Sequence, residues 1–188
     1  MEAFFVSTAV VAVAEIGDKT QLLALMLAAR YRKPLPILAG ILCATLANHA
    51  LAAWIGAEVA AWVGAETMRW VLGVAFIVMA GWCLIPDKAD DGPQTARKAG
   101  AFLATLVAFF IVEIGDKTQI ATVALAARFQ SLFAVTAGTT VGMLLANAPV
   151  VLFGDAIAKR LPLRIVRIVA ALLFVALGLA AILMPAAH

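Results

Sequence analysis

Long apolar runs alternate with short polar segments along the whole chain. A helix that crosses a lipid bilayer needs about 20 mostly apolar residues. The runs therefore predict an all-α membrane protein with six transmembrane helices, at about residues 3–28, 35–57, 67–85, 101–127, 132–156 and 165–185. Basic or proline-containing segments separate most of these spans, and the longest separator is the polar stretch from Pro86 to Lys98.

The two halves of the chain share a motif. Residues 15–21 read EIGDKTQ, and the same seven letters return at residues 113–119, 98 positions later. At the same spacing, Gly40 falls opposite Gly138. Seven identical residues in two otherwise diverged halves indicate an internal repeat, which has to be recognised before any architecture is assigned.

Three spans per repeat is an odd number, so the second repeat enters the membrane from the opposite side. We therefore expect two inverted three-helix repeats, at residues 1–86 and 100–188, joined by a cytoplasmic linker at residues 87–99. Inverted repeats are shared by many secondary transporters, whose substrate sites lie near the midplane where the repeats meet. A homodimer stays open, because no pattern in the sequence tests it.

The amino-acid composition also indicates a membrane protein. Apolar residues make up 65% of the chain and charged residues 13%, whereas soluble domains average about 45–50% and 25%. The net charge of +3 does not indicate nucleic-acid binding, because the basic residues occupy short loops where they set membrane orientation. Ten basic residues fall in the loops after spans one, three and five: Arg30, Arg32, Lys33, Lys88, Arg97, Lys98, Lys159, Arg160, Arg164 and Arg167. The positive-inside rule then places both termini outside the cytoplasm.

Each copy of the motif puts a glutamate, an aspartate and a lysine into an apolar span. Insertion of each such group at the middle of a transmembrane helix costs roughly 2.5–3.5 kcal/mol. In a continuous helix, their i, i+3 and i+4 spacing places all three on one face. If spans one and four face each other, four carboxylates converge with two ammonium groups, and a divalent cation would neutralise their formal sum of −2. These carboxylates are Glu15, Asp18, Glu113 and Asp116.

Oxygen ligands narrow the choice of ion, because they suit hard cations such as Mg²⁺, Ca²⁺ and Mn²⁺. Candidate additional ligands are Gln21, Gln119, Asn48, Asn147, Thr20 and Thr118, although the two threonines are alternatively bonded back to their own helices. Lys19 and Lys117 are candidates for charge balance or gating. Gly17 and Gly115 are candidates for helix flexibility, because a glycine lets a helix unwind and expose carbonyl groups.

Clustered buried acids also carry protons, because burial and like-charge neighbours both disfavour ionisation. A site that holds either a divalent cation or protons is the minimal design for an antiporter. The alternative is structural: buried acids and lysines pair as salt bridges that lock helices together. Among the remaining polar residues, His49 is either a proton relay or a histidine bonded to a neighbouring helix, and we favour the second. Glu58 and Asp155 are vestibule groups or solvated helix ends.

The doubled signature E-x-G-D-[KR]-[ST], at residues 15–20 and 113–118 of a six-span chain, resembles the small cation/Ca²⁺ exchanger family. That family includes MneA-type bacterial manganese exporters and the Golgi manganese/calcium transporters of eukaryotes. The resemblance implies Mn²⁺ or Ca²⁺ transport in exchange for H⁺, with Mn²⁺ efflux across a bacterial inner membrane favoured. It implies that the four motif carboxylates bind the ion, and that the metal is a substrate rather than a cofactor.

Three rival functions remain open at this point. Paired aspartates after glycines are similar to those of intramembrane aspartyl proteases, but a lysine beside the dyad opposes the shared proton that such chemistry needs. An acidic site also accepts an organic cation, as in exporters of basic amino acids. A passive channel is the third reading. We expect a transporter and not an enzyme.

Overall fold

The computed structural model describes residues 1–86, 100–154 and 162–183, and within these ranges it contains helices and no strand. The helices are α1 Glu2–Glu15, α2 Lys19–Tyr31, α3 Pro34–Trp62, α4 Ala65–Cys83, α5 Ala101–Glu113, α6 Lys117–Phe129, α7 Leu132–Phe153 and α8 Leu163–Leu183. The predicted all-α class is confirmed. The predicted linker at residues 87–99 lies outside the described residues.

Four helices are long and apolar enough to cross a membrane, namely α3, α4, α7 and α8. The helix α5 is apolar as well but has only 13 residues. Large apolar side chains on these helices point away from the protein interior, among them Leu46, Val78 and Leu145. Such exposure is expected where lipid, rather than water, surrounds the helices.

Predicted spans one and four are each divided into two short helices by the motif. The helix α1 ends at Glu15 and α2 begins at Lys19, and between them Gly17 has φ of 82°. The second copy repeats this geometry, with φ of 76° at Gly115. A positive φ costs a residue with a Cβ about 1–2 kcal/mol, so glycine is favoured at both places. The prediction that the charged residues of each motif share one face of a continuous helix is therefore wrong, because no helix runs through the motif.

Close packing joins the two halves of the chain. The helix α1 packs against α7, and α3 packs against α5. A Cβ added to Gly138 of α7 would lie 2.5 Å from the carbonyl oxygen of Phe4, and a Cβ on Gly40 of α3 would lie 2.8 Å from that of Phe102. Small residues at such positions let helix backbones approach closely. These two contacts involve residues at the same 98-residue spacing as the motifs, so the same contact occurs twice.

The helices α4 and α8 form a third contact between the halves. Their centre is Phe76 of α4, which stacks on Phe174 of α8 with ring centroids 6.2 Å apart. Both side chains are fully buried, and they are again 98 residues apart. The core is thus built from matching elements of the two halves.

Candidate cation-binding site

The two motifs come together in the protein interior. Their four carboxylates are buried, with relative exposures of 0% for Glu15 and Glu113, 1% for Asp18 and 3% for Asp116. Glu15, Glu113 and Asp116 each place one carboxylate oxygen within 4.8 Å of the other two. Three acidic oxygens at this separation can hold one cation between them.

Each motif lysine forms an ion pair with the aspartate of the other motif. Lys117 Nζ lies 2.5 Å from Asp18 Oδ1, and Lys19 Nζ lies 3.0 Å from Asp116 Oδ1. The first pair is almost fully buried, whereas the side chain of Lys19 is 24% exposed. The structural alternative considered from the sequence thus describes the aspartates: their salt bridges do join the two halves.

The two glutamates are in a different situation. Within the described residues, neither Glu15 nor Glu113 pairs with a lysine or an arginine. One carboxylate oxygen of each glutamate, Oε1, is buried and accepts no hydrogen bond from the described part of the chain. An ionised carboxylate without a partner is strongly unfavourable in such surroundings. The negative charges of two adjacent buried glutamates therefore have to be neutralised, either by protons or by a cation.

Threonines of the motifs bond to these glutamates. Thr20 donates its hydroxyl proton to Glu15 Oε2. The hydroxyl of Thr118 lies 3.3 Å from Glu113 Oε2 and 3.4 Å from Asp116 Oδ2. The hydroxyl groups therefore face the carboxylates across the helix break, and the alternative in which they bond back to their own helices does not hold.

The motif glutamines hold the helix breaks. Gln21 Oε1 accepts a hydrogen bond of 2.9 Å from the backbone N–H of Gly17, and Gln119 Oε1 accepts one of 2.7 Å from that of Gly115. Gln21 Nε2 also donates to the carbonyl oxygen of Ala146 in α7. An unwound backbone at membrane depth needs such partners. Each glutamine oxygen is thus already in use by its own break.

The asparagines outside the motifs have their oxygens unused. Asn48 Nδ2 donates to the carbonyl oxygen of Phe110, and Asn147 Nδ2 donates to that of Met143. The Oδ1 atoms of both asparagines are buried and accept no hydrogen bond from the described part of the chain. Among the neutral amide groups predicted as ligands, these two oxygens accept no hydrogen bond from the described residues, whereas each glutamine oxygen accepts one.

His49 is the polar residue whose surroundings the sequence did not reveal. It is fully buried in α3, and its Nε2 lies 3.9 Å from Glu113 Oε2. Neither ring nitrogen makes a hydrogen bond to any described residue. The favoured expectation, a histidine bonded to a neighbouring helix, is therefore wrong. Glu58 is exposed near the end of α3, and Asp155 lies outside the described residues.

The two breaks differ in their surroundings. A Cβ added at Gly17 would lie 2.6 Å from Leu163 Cδ2 of α8, whereas one at Gly115 would meet nothing within 4 Å. Beside Gly17 there is a cavity of about 10 Å³, which is room for about one water molecule. Beside the second motif lies an open depression of about 300 Å³, whose lining includes Asn48, Phe110, Ile114 and Gln119. The first break is covered and the second is open.

Comparison with known proteins gives consistent matches. Residues 3–91 and 101–187 match the family described as "Divalent cation/proton antiporter GDT1". A protein of Vibrio cholerae named "Putative manganese exporter" is 55% identical over 96% of this chain and 90% of its own length. "GDT1-like protein 4" of Oryza sativa subsp. indica is 27% identical over 98% of this chain and 74% of its own length. "GDT1-like protein 5" of Arabidopsis thaliana is 26% identical over 98% of this chain and 97% of its own length. No solved structure is significantly similar to the chain.

Proposed function

Because the chain belongs to the GDT1 family of divalent cation/proton antiporters, we propose that it exports Mn²⁺ in exchange for protons, with Ca²⁺ as a second substrate. Membership of this family confirms the predicted transporter and excludes the protease reading, so the chain is not an enzyme. The metal ion is a transported substrate, and the family requires no cofactor.

The observation that carries the proposal is the pair of buried glutamates without a cationic partner. The aspartates and lysines already neutralise each other in two ion pairs. Glu15 and Glu113 remain, with Asp116 beside them. Their two formal negative charges match one divalent cation or two protons. One site that is filled by either of these, and not by both, couples the movement of the two ions.

The ligand atoms support a hard divalent cation. The cluster offers carboxylate oxygens, with threonine hydroxyls beside them. Ca²⁺, Mg²⁺ and Mn²⁺ prefer such oxygen ligands, whereas Cu⁺ and Zn²⁺ favour sulfur and nitrogen. The name of the Vibrio cholerae relative, which is 55% identical, favours Mn²⁺ within this group. We assign the binding role to Glu15, Asp18, Glu113 and Asp116, with each aspartate held by the lysine of the other motif.

Two inverted three-helix repeats complete the proposal, at residues 1–86 and 100–188 with a linker at 87–99. The pairs α1–α2 and α5–α6 would each cross the membrane as one discontinuous helix, which brings the four long helices to six crossings. The reciprocal ion pairs and the stacked phenylalanines support a two-fold relation, because in such a relation residue i meets j where j meets i. Discontinuous helices at the substrate site are common in transporters with this symmetry.

Alternating access follows from the same arrangement. The first break is covered by Leu163, while the second adjoins an open depression. In a protein with two equivalent breaks, the opposite state would open the first break and cover the second. Rocking of one repeat against the other around a fixed site would exchange these two states.

We place the protein in a bacterial inner membrane, with both termini outside the cytoplasm. The basic loop residues support this orientation through the positive-inside rule. Both motifs of the site come from the same chain, so the proposed mechanism needs one copy only. Nothing in the comparisons supports the homodimer that the sequence left open.

The test is Mn²⁺ flux into proteoliposomes under an imposed pH gradient, with Ca²⁺ as competitor. The wild type should move Mn²⁺ against its own concentration gradient only when the pH gradient is present, and Glu113→Gln should abolish this movement. The matched control is Glu66→Gln, which makes the same change at a glutamate that is 69% exposed and far from the motifs in sequence.

Three results would contradict the proposal. Flux that ignores the pH gradient would indicate a passive channel. Flux of lysine that neither Mn²⁺ nor Ca²⁺ inhibits would indicate an exporter of basic amino acids. An active Glu113→Gln variant would contradict the assignment of this glutamate to the binding site.

A further inference from the structure

His49 stands beside the acidic cluster as a buried side chain with unused capacity. Its Nε2 is 3.9 Å from Glu113 Oε2, and both ring nitrogens are without a hydrogen bond among the described residues. The ring is completely buried. Burying such a polar ring without a partner is unfavourable, so its position calls for a ligand that the motifs alone do not explain.

Packing of α3 against α5 determines where this histidine lies. The neighbouring Asn48 donates a hydrogen bond of 3.0 Å to the carbonyl oxygen of Phe110, three residues before Glu113. This bond fixes α3 against the end of α5 and brings the next side chain to the glutamate. The residue that follows Asn147 in the second half is Ala148. The two motifs are identical, but among the described residues an imidazole lies within 4.0 Å of Glu113 and none lies that close to Glu15.

The separation of these two atoms suits one ion. Metal–ligand bonds to nitrogen or oxygen are about 2.0–2.2 Å for small divalent cations, so two ligand atoms of one ion are at most about 4.4 Å apart. The 3.9 Å between Nε2 and Glu113 Oε2 is inside this limit. The histidine and Glu113 can therefore bind one ion together.

We propose that His49 Nε2 is a ligand of the transported cation at Glu113 and makes the site prefer first-row transition metals to Ca²⁺. The inference rests on the proposed function and deepens it. Ca²⁺ and Mg²⁺ take oxygen ligands, and a nitrogen ligand adds little to their binding. Mn²⁺ belongs to the series of transition ions for which affinity at nitrogen-containing sites rises from Mn²⁺ through Fe²⁺ and Co²⁺. A single imidazole thus favours Mn²⁺ over Ca²⁺ at a site that is otherwise built of oxygen.

Pulsed electron paramagnetic resonance of the Mn²⁺-loaded full chain tests the ligation directly. We expect a ¹⁴N coupling from a bound imidazole in the wild type and its loss in His49→Gln. The chain has only two histidines, so His188→Ala is the matched control and should keep the coupling. The protein has to be purified without a histidine tag. Absence of the coupling in the wild type would overturn the inference, and so would a coupling that persists in His49→Gln.

Selectivity is the second readout. In the flux assay, His49→Gln should lower the preference for Mn²⁺ over Ca²⁺ by about 10-fold, in line with the effect of losing one metal-supporting side chain. An unchanged preference would overturn the role of the histidine while leaving the antiporter intact. Wild-type protein that neither binds nor moves Mn²⁺ would instead overturn the proposed function itself. If His49→Gln does not fold, the spectrum of His188→Ala still decides the question, because His49 is then the one histidine left in the chain.

Discussion

Lys117 and Asp18 lie 99 residues apart in sequence, yet they form a buried ion pair with Nζ 2.5 Å from Oδ1. Lys19 and Asp116 form the corresponding pair at 3.0 Å. Each motif therefore supplies the counter-charge that the other one needs. The lysines pair with the aspartates, whereas neither glutamate pairs with a lysine or an arginine among the described residues.

Removing one member of the buried ion pair should lower the free energy of unfolding. Lys117→Met leaves the Asp18 carboxylate without this partner, and breaking a buried pair in this way costs about 3–5 kcal/mol. The double variant Asp18→Asn/Lys117→Met removes both charges and should recover most of this loss. The measurement is the free energy of unfolding in mixed micelles. Lys19→Met is the matched comparison and should cost less, because that lysine is partly exposed. Equal losses in both single variants would contradict the difference in burial.

Replacing a motif glutamate should not lower the stability of the protein, in contrast to replacing Lys117. Glu15→Gln and Glu113→Gln each replace a buried acid that has no cationic partner with a neutral group of the same shape. We expect transport to be lost while the melting temperature stays the same or rises, because an unpaired buried charge opposes folding. Flux and thermal unfolding of the same preparations measure the two effects. Loss of both activity and stability would indicate a structural role for these residues.

Acidification should weaken metal binding. A carboxylate has to be deprotonated to bind a cation, so protons compete with Mn²⁺ for the same oxygens. Binding affinity in detergent should therefore fall as the pH is lowered, and the fall should be shallower in Glu113→Gln, which has one competing carboxylate fewer. Isothermal titration of Mn²⁺ at several pH values measures this. An affinity that is independent of pH would contradict a site shared between the two ions.

The two break glycines should not be equivalent. Both Gly17 and Gly115 have a positive φ, so alanine at either place should cost about 1–2 kcal/mol. Gly17→Ala should cost more, because its Cβ would lie 2.6 Å from Leu163 Cδ2. Leu163→Ala in the same chain should recover that additional part. Unfolding free energies of the three variants measure the difference.

Gly81→Ala is the control for these glycines. Gly81 lies within α4, and a Cβ there would meet nothing within 4 Å. Alanine is favoured over glycine in a helix by up to about 1 kcal/mol, so this variant should be neutral or stabilised. Equal effects of Gly17→Ala and Gly115→Ala would contradict the contact with Leu163.

The sequence predicted the helical class and the convergence of the motif carboxylates, of which three lie together in the structure. Hydropathy and an exact repeat are properties of the chain alone. The sequence named Gly17 and Gly115 as places where a helix can unwind, but it did not show that a helix ends and another begins there. A single glycine in an apolar run leaves the mean hydropathy of a span unchanged, and the positive φ of Gly17 becomes visible only in three dimensions. Salt bridges between acids and lysines were an alternative from the sequence, but the sequence did not show that each lysine pairs with the aspartate of the other motif. The position of His49 beside Glu113 depends on how α3 packs against α5, which spacing along one chain does not encode.

The two ion pairs between the motifs make each half of the chain depend on the other half. A single half contains a whole motif but only half of each pair, so on its own it would bury an aspartate and a lysine with no complement. In the proposed inverted arrangement, two separate three-helix chains could form these pairs only when inserted in opposite directions. Residues 1–86 and 100–188 made as independent polypeptides should therefore be degraded when either is expressed alone and persist when both are present. In a single chain both ion pairs can form every time, whereas two separate chains would form them only when the two had inserted in opposite directions.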